Sequence, residues 1–226
     1  MRWLAMTLMA LASGAAHCDD APSAPDIVGV LYRSQQLQLD AMPPGDAASE
    51  RALRVRKTFD ALAVRLQVPA ATELRIIRGD VVAETLHGNV VVANEALGDL
   101  PEGERLFVLA HELGHVMLDH WNEMGALYKK WVPGIVEQRE TDAIGNALSR
   151  DASGLAYRQE FEADAFGLRT VRALGWPDQD AVAAFMDLGV YSDTATHPGT
   201  RKRVMALRQM EPDAMHAAVP VIAEAR

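Results

Sequence analysis

The chain has 226 residues, 22 of them Lys or Arg and 31 Asp or Glu, for a formal charge of −9. Its 49% hydrophobic and 23% charged residues exclude a disordered chain and a polytopic membrane protein. There is no basic excess or stripe, so no nucleic-acid partner is expected, and at this length one globular domain is the default.

Residues 1–18 begin with Arg2, continue through the apolar stretch Leu4–Ala12 and end in the small residues Ser13–Ala16. This is the layout of a secretory signal peptide, so the mature chain is expected in the periplasm. The apolar stretch is short for a bilayer span, and no other run approaches that length, so no transmembrane span is expected in the mature chain. Cys18 is the only cysteine, which excludes an internal disulfide. A lipid anchor at Cys18 is the second reading of the leader; against it, His17 and Ala15 stand where lipoprotein signals carry a small residue and Leu. Residues 19–26 (DDAPSAPD) read as a polar linker.

Residues 27–42 and 47–68 carry apolar side chains at helical spacing, among them Val55, Phe59, Leu62 and Leu66, and are separated by Pro43-Pro44-Gly45. Three short apolar runs follow at 74–77, 81–86 and 90–93, with turns at Gly79-Asp80 and His87-Gly88, and predict a small antiparallel sheet. His87 reads as a solvated turn residue. A helix is expected from Pro101, with Glu102 and Glu104 in its first turn, past His120 towards Lys130, ended by Pro133-Gly134. A charged helical stretch to Arg150, a flexible connection at 151–154, and helices at 155–174, 179–188 and 200–210 complete the reading. Residues 211–226 form an uninformative tail. The expected class is α+β, mostly helical.

Within the first long helix lies His111-Glu112-Leu113-Gly114-His115. Residues four apart on an α-helix differ by only ~40° in direction, so His111 and His115 share a face and can hold one metal ion. Glu112 lies beside them as a base for water, the combination a hydrolytic zinc site requires. The bland alternative is two ordinary histidines on a helix.

A third ligand has to come from elsewhere. His120 is rotated about 180° from His111, lies on the far side of the helix and serves as a surface or packing residue. The best candidate is in QEFEADAFG, residues 159–167: Glu160 and Asp164 share a helix face, so Glu160 can ligate while Asp164 accepts a hydrogen bond from a ligand imidazole. Glu162 is turned about 200° away, towards solvent. On spacing alone, the same residues also fit an ordinary acidic stripe.

HELGH, the Glu160-to-Asp164 helix and THPGTRKRV at 196–204, in that order, resemble the HtpX and CaaX-protease (Ste24-like) family of zinc metallopeptidases, in the gluzincin group. The resemblance covers roughly residues 50–210 and implies a zincin-like domain over residues 27–210. It implies one Zn2+ held by His111, His115 and Glu160, with Glu112 as general base and proteins or peptides as substrates. The hairpin at 81–93 corresponds to the family's segment along the substrate cleft, though the frequent Asn-Ala pair is absent. His197 falls near the active site in this resemblance, as a removable fourth ligand or an oxyanion donor, and Arg203 matches a family Arg that ties its loop to an acidic residue. Lacking membrane spans, the chain is closest to the soluble periplasmic members implicated in envelope protein quality control.

The reading is therefore a zinc endopeptidase with Glu112, Asp164 and His197 as catalytic-site residues, and with Tyr157 and Tyr191 as further oxyanion candidates. Two alternatives stand beside it. One is an ImmA-like intracellular metallopeptidase, disfavoured by the leader and by THPGTRKRV. The other is a zinc-bound chaperone or assembly factor, disfavoured by the intact Glu112. The long charged stretch 121–154 is a candidate lid.

Overall fold

In the computed structural model, residues 26–134, 136, 138–189 and 191–210 are described. The expected signal peptide, nearly all of the linker, and the tail at 211–226 lie outside them. Among the described residues, no helix is long and apolar enough to cross a membrane.

Helix α1 (Ile27–Ala41) starts where the Asp26 carboxylate accepts the Gly29 N–H at 2.8 Å. Helix α2 (Glu50–Leu66) starts where Ser49 Oγ accepts the Ala52 N–H at 3.1 Å, and it ends as Gln67 turns left-handed. Each cap satisfies one of the orphan amides of a first turn. The face of α2 marked by Val55, Phe59, Leu62 and Leu66 is buried as its spacing predicts.

Strands β1 (Glu73–Ile77), β2 (Ala83–Leu86) and β3 (Val90–Asn94) form a sheet in the order β1-β3-β2. The sheet is mixed, not antiparallel: β2 and β3 form a hairpin, but β1 pairs parallel with β3. Central β3 is buried along its whole length, whereas β2 is an edge strand. Leu86 pairs with Val90, and the three-residue turn between them is made by His87 and Gly88 at positive φ, 54° and 74°. His87 lies in the turn as expected but is not simply solvated: it stacks on Tyr32 with ring centroids 3.9 Å apart and fastens α1 to the hairpin.

Helix α3 (Glu102–Met117) is the centre of the molecule, with every residue from Gly103 to Gly114 buried. It packs against α2, β2, helix α5 (Gln138–Ala173) and helix α6 (Asp178–Asp187). Leu109 and Leu113 of α3 and Leu168 and Val171 of α5 are among the most completely enclosed side chains. Truncating such a Leu to Ala typically costs ~2–5 kcal/mol. The α3–α5 approach depends on glycine. A Cβ on Gly114 would sit 3.3 Å from Ala163 Cα, and one on Gly167 would meet Phe107 at 3.1 Å and the His111 amide at 3.3 Å.

Two helix boundaries differ from expectation. Helix α3 does not run through to Lys130. Asp119 is left-handed at φ 57°, and a separate helix, α4 (His120–Trp131), begins there. Conversely, residues 151–154 are no flexible connection but lie inside α5, one helix of 36 residues. A helix-interior Gly costs only ~1 kcal/mol relative to Ala, which the packing of α5 on α3 and α4 readily offsets. The stretch 121–154 is thus helical on both sides of the Pro133-Gly134 break. Helix α7 (Thr200–Arg208) closes the described chain.

Candidate active site

The site forms where α3 crosses α5 and the loop ahead of α7 meets them. His111 and His115 project from one face of α3, and their Nε2 atoms are 3.2 Å apart. Glu160, from α5, places Oε1 3.4 Å from His115 Nε2 and Oε2 3.7 Å from His111 Nε2. Zinc bonds of ~2.0–2.2 Å at tetrahedral angles separate ligand atoms by about 3.3–3.6 Å. The two nitrogens and the Glu160 carboxylate thus gather at close to that spacing, each carboxylate oxygen nearest a different imidazole. Glu160 Oε2 is buried and makes no well-directed hydrogen bond, its positive neighbour being the Arg203 guanidinium. The donor set of two imidazoles and a carboxylate fits zinc and leaves a fourth position free.

Each ligand is supported from behind. Asp164, one turn after Glu160 and 1% exposed, accepts from His111 Nδ1 at 3.0 Å, which leaves the Nε2 lone pair facing the centre. Arg203 of α7 binds Asp164 through both branches, Nε to Oδ2 at 2.8 Å and Nη2 to Oδ1 at 2.5 Å, and its Nη1 lies 3.0 Å from Glu160 Oε2. This is the acidic anchor expected of Arg203, and it joins α7 to the site. Burial raises the Asp164 carboxyl, but the Arg203 hydrogen bonds and charge hold it below the ordinary carboxylate value. Burial likewise works against ionised Glu160, yet the His115 hydrogen bond and the charges of His111 and Arg203 hold its carboxyl well below the usual range.

Glu112 follows His111 on α3 and reaches the opposite wall, where Thr85 Oγ1 of β2 lies 2.8 Å from its Oε2. Both residues line an open cleft of about 740 Å3 whose other walls include Val82, Phe185 and Arg203. The outer edge of β2 runs along this cleft, so the hairpin stands where the family resemblance put it.

His197 also lines the cleft, its side chain 58% exposed and Nε2 3.5 Å from Glu160 Oε1. Its loop is held by Asp193, which accepts the Gly199 N–H at 2.7 Å. The two tyrosines are engaged elsewhere: Tyr157 donates to Thr194 O at 2.8 Å and Tyr191 to Leu188 O at 2.7 Å.

His120 is the residue that sequence reasoning placed wrongly. It is a buried packing residue, 4% exposed, but it faces the site and not the far side of the helix, with Nδ1 2.9 Å from His115 Nδ1. The helical phase of α3 does not extend past Asp119, so the 180° rotation does not apply. Glu162, half-exposed, reaches back to within 3.3 Å of His120 Nε2 instead of pointing wholly to solvent. Thr85 was missed as well, since nothing in a short strand marks which hydroxyl meets a carboxylate.

The sequence model of peptidase family M48 matches residues 49–211. No curated protein matches the chain. Among solved structures, Ste24p of S. mikatae is similar at a TM-score of 0.49 and 18% identity, over 80% of this chain and 57% of that one. The chain therefore spans little more than half the length of that protein. With the family match running from α2 through HELGH, Glu160 and the His197 loop to the end of α7, the chain belongs to peptidase family M48, and His111, His115 and Glu160 are its zinc site.

Proposed function

We propose that this M48 metallopeptidase is an endopeptidase of the periplasm that cleaves misfolded or misassembled envelope proteins. The observation that carries the endopeptidase reading is the placement of Glu112. It stands beside the three-ligand cluster, in an open cleft bordered by an edge strand. A structural zinc site takes four protein ligands and has no use for a neighbouring base; this one leaves a position open. An open cleft along a strand edge admits an extended chain, which can add its own hydrogen bonds to β2. The leader pattern of residues 1–18 and the resemblance to soluble periplasmic family members support the location and the substrate class.

Zinc, when bound here, supplies Lewis acidity that polarises a carbonyl and acidifies water. The protein does the rest. Glu112 takes the proton from the attacking water and passes it to the leaving amine. Asp164 fixes the His111 tautomer that ligates. With the two tyrosine hydroxyls already donating elsewhere, His197 in the cleft wall donates to the developing oxyanion.

A second reading has its own observation. His197 Nε2 lies 3.5 Å from Glu160 Oε1 but outside the three-residue ligand cluster, so a further closure of its loop would bring it onto the metal and hold the enzyme latent, as a zinc-bound assembly factor would be. One experiment separates the readings: zinc content and casein cleavage of wild type, Glu112→Gln and His197→Ala, each lacking residues 1–18. One zinc per chain, with turnover abolished in Glu112→Gln, supports the peptidase. A gain in His197→Ala identifies a latch, and a loss identifies an oxyanion donor. Cleavage by Glu112→Gln at the wild-type rate would overturn the mechanism.

A further inference from the structure

We propose that His120 is a positioning residue for the zinc ligand His115, forming with Glu162 a chain that sets which nitrogen of His115 carries its proton. The inference rests on the zinc reading of the site but has a test of its own.

The chain begins with a backbone turn. The left-handed Asp119 ends α3 and folds the first residue of α4 back beneath the site. Gln159 of α5 then holds that residue by donating to the His120 carbonyl at 3.1 Å. The rings of His115 and His120 meet nearly edge to face, with centroids 4.9 Å apart, and their Nδ1 atoms are 2.9 Å apart. At that distance one nitrogen must carry a hydrogen and the other a lone pair.

Which one does is decided at the far ends of the two rings. His115 Nε2 faces His111 Nε2 at 3.2 Å and Glu160 Oε1 at 3.4 Å, so ligation requires its lone pair there and its hydrogen on Nδ1. His120 Nδ1 then accepts, and its own hydrogen sits on Nε2. The group facing that nitrogen is Glu162 Oε2 at 3.3 Å, off-line for a full hydrogen bond, so its negative charge favours the hydrogen there. The opposite arrangement would aim N–H groups at the metal position and leave the Glu162 carboxylate against a bare lone pair. The two zinc imidazoles thus have different supports: a buried carboxylate behind His111, and a neutral ring backed by a half-exposed carboxylate behind His115.

The test uses the chain lacking residues 1–18 as wild type, His120→Leu and His120→Asn. Zinc affinity is measured by competition with a chelator of known strength. The tautomer of His120 is read by long-range 1H–15N correlation in zinc-loaded protein. Loss of an outer partner typically weakens metal binding ~10–100-fold. His120→Leu should show that loss. His120→Asn, whose Oδ1 replaces the accepting Nδ1, should return affinity to within a few-fold of wild type. Equal weakening in Leu and Asn variants would show a packing role and overturn the proposal. So would wild-type affinity in His120→Leu, or a His120 hydrogen on Nδ1 in zinc-loaded wild type. If wild type bound no zinc, the zinc reading itself would fall, whereas bound zinc with the hydrogen on His120 Nδ1 would overturn this proposal alone.

Discussion

Thr85 in edge strand β2 lies 2.8 Å from Glu112 Oε2 and 2.9 Å from the Glu112 carbonyl, so one hydroxyl braces the base between sheet and helix. A hydroxyl has a single hydrogen, and the carboxylate is the stronger acceptor of the two. A hydrogen bond to a charged group contributes about 1.5–3 kcal/mol. We therefore expect Thr85→Val to lower kcat for a peptide substrate ~10–100-fold while zinc affinity stays at the wild-type level. A Thr85→Ser variant should recover most of the loss. Unchanged kcat in Thr85→Val would show that Glu112 is held by its helix alone.

Arg203 counterbalances two buried carboxylates, Asp164 and Glu160, from a helix distant in sequence. Removing one partner of a buried ion pair typically costs about 3–5 kcal/mol, because the remaining charge has neither water nor a counterion. Arg203→Ala should accordingly lower the melting temperature of metal-free protein more than that of the zinc form, since the metal supplies part of the missing positive charge. Equal losses in both forms would place the role of Arg203 in packing, through its stacking on the Phe185 ring at 4.7 Å.

How far the sequence carries the site depends on how local each signal is. His111, Glu112, His115, Glu160 and Asp164 were legible because each set lies within one turn of an unbroken helix, where direction follows from spacing. His120 was not, because its direction depends on the backbone of Asp119. Asp adopts the left-handed conformation more readily than most residues, but neither Gly nor Pro marks the turn. The same limit applies to residues 151–154, where an Asp, a Ser and a Gly suggested a break that packing overrides. In the sheet, strand positions followed from short apolar runs bounded by turns, but the parallel pairing of β1 with β3 is a long-range choice that such runs do not encode. Arg203 became legible only through the motif resemblance, since its partners are 39 and 43 residues away in sequence.

Metal removal should leave the protein folded. Glu160 keeps its Arg203 contact and His111 its Asp164 hydrogen bond without zinc, and the core around Leu109 and Leu168 does not involve the site. Zinc at 100 times its dissociation constant adds about 2.7 kcal/mol by mass action. Chelation should therefore lower the melting temperature by several degrees and leave the helical signal at room temperature intact. Collapse of that signal on chelation would mean that the metal organises the fold, as it does in small zinc domains.

Glu104, in the first turn of α3, is 6% exposed, and its Oε2 is buried without a hydrogen bond. Burial, then the charge of Asp187 and a hydrogen bond shared with it, and then Asp180 raise its carboxyl from 4.5 to about 7. A carboxyl raised on folding binds its proton more tightly in the native state. Its contribution to stability is complete below the unfolded value of 4.5 and is lost as pH rises through about 7. The wild type should therefore lose on the order of 1–3 kcal/mol between pH 5 and pH 8 from this group. Glu104→Gln, which cannot ionise, should flatten that slope and melt higher than wild type at pH 8. Melting curves of both proteins across this range are the check. A slope unchanged in Glu104→Gln would assign the pH dependence to other groups and show that Glu104 and the α6 carboxylates do not share a proton.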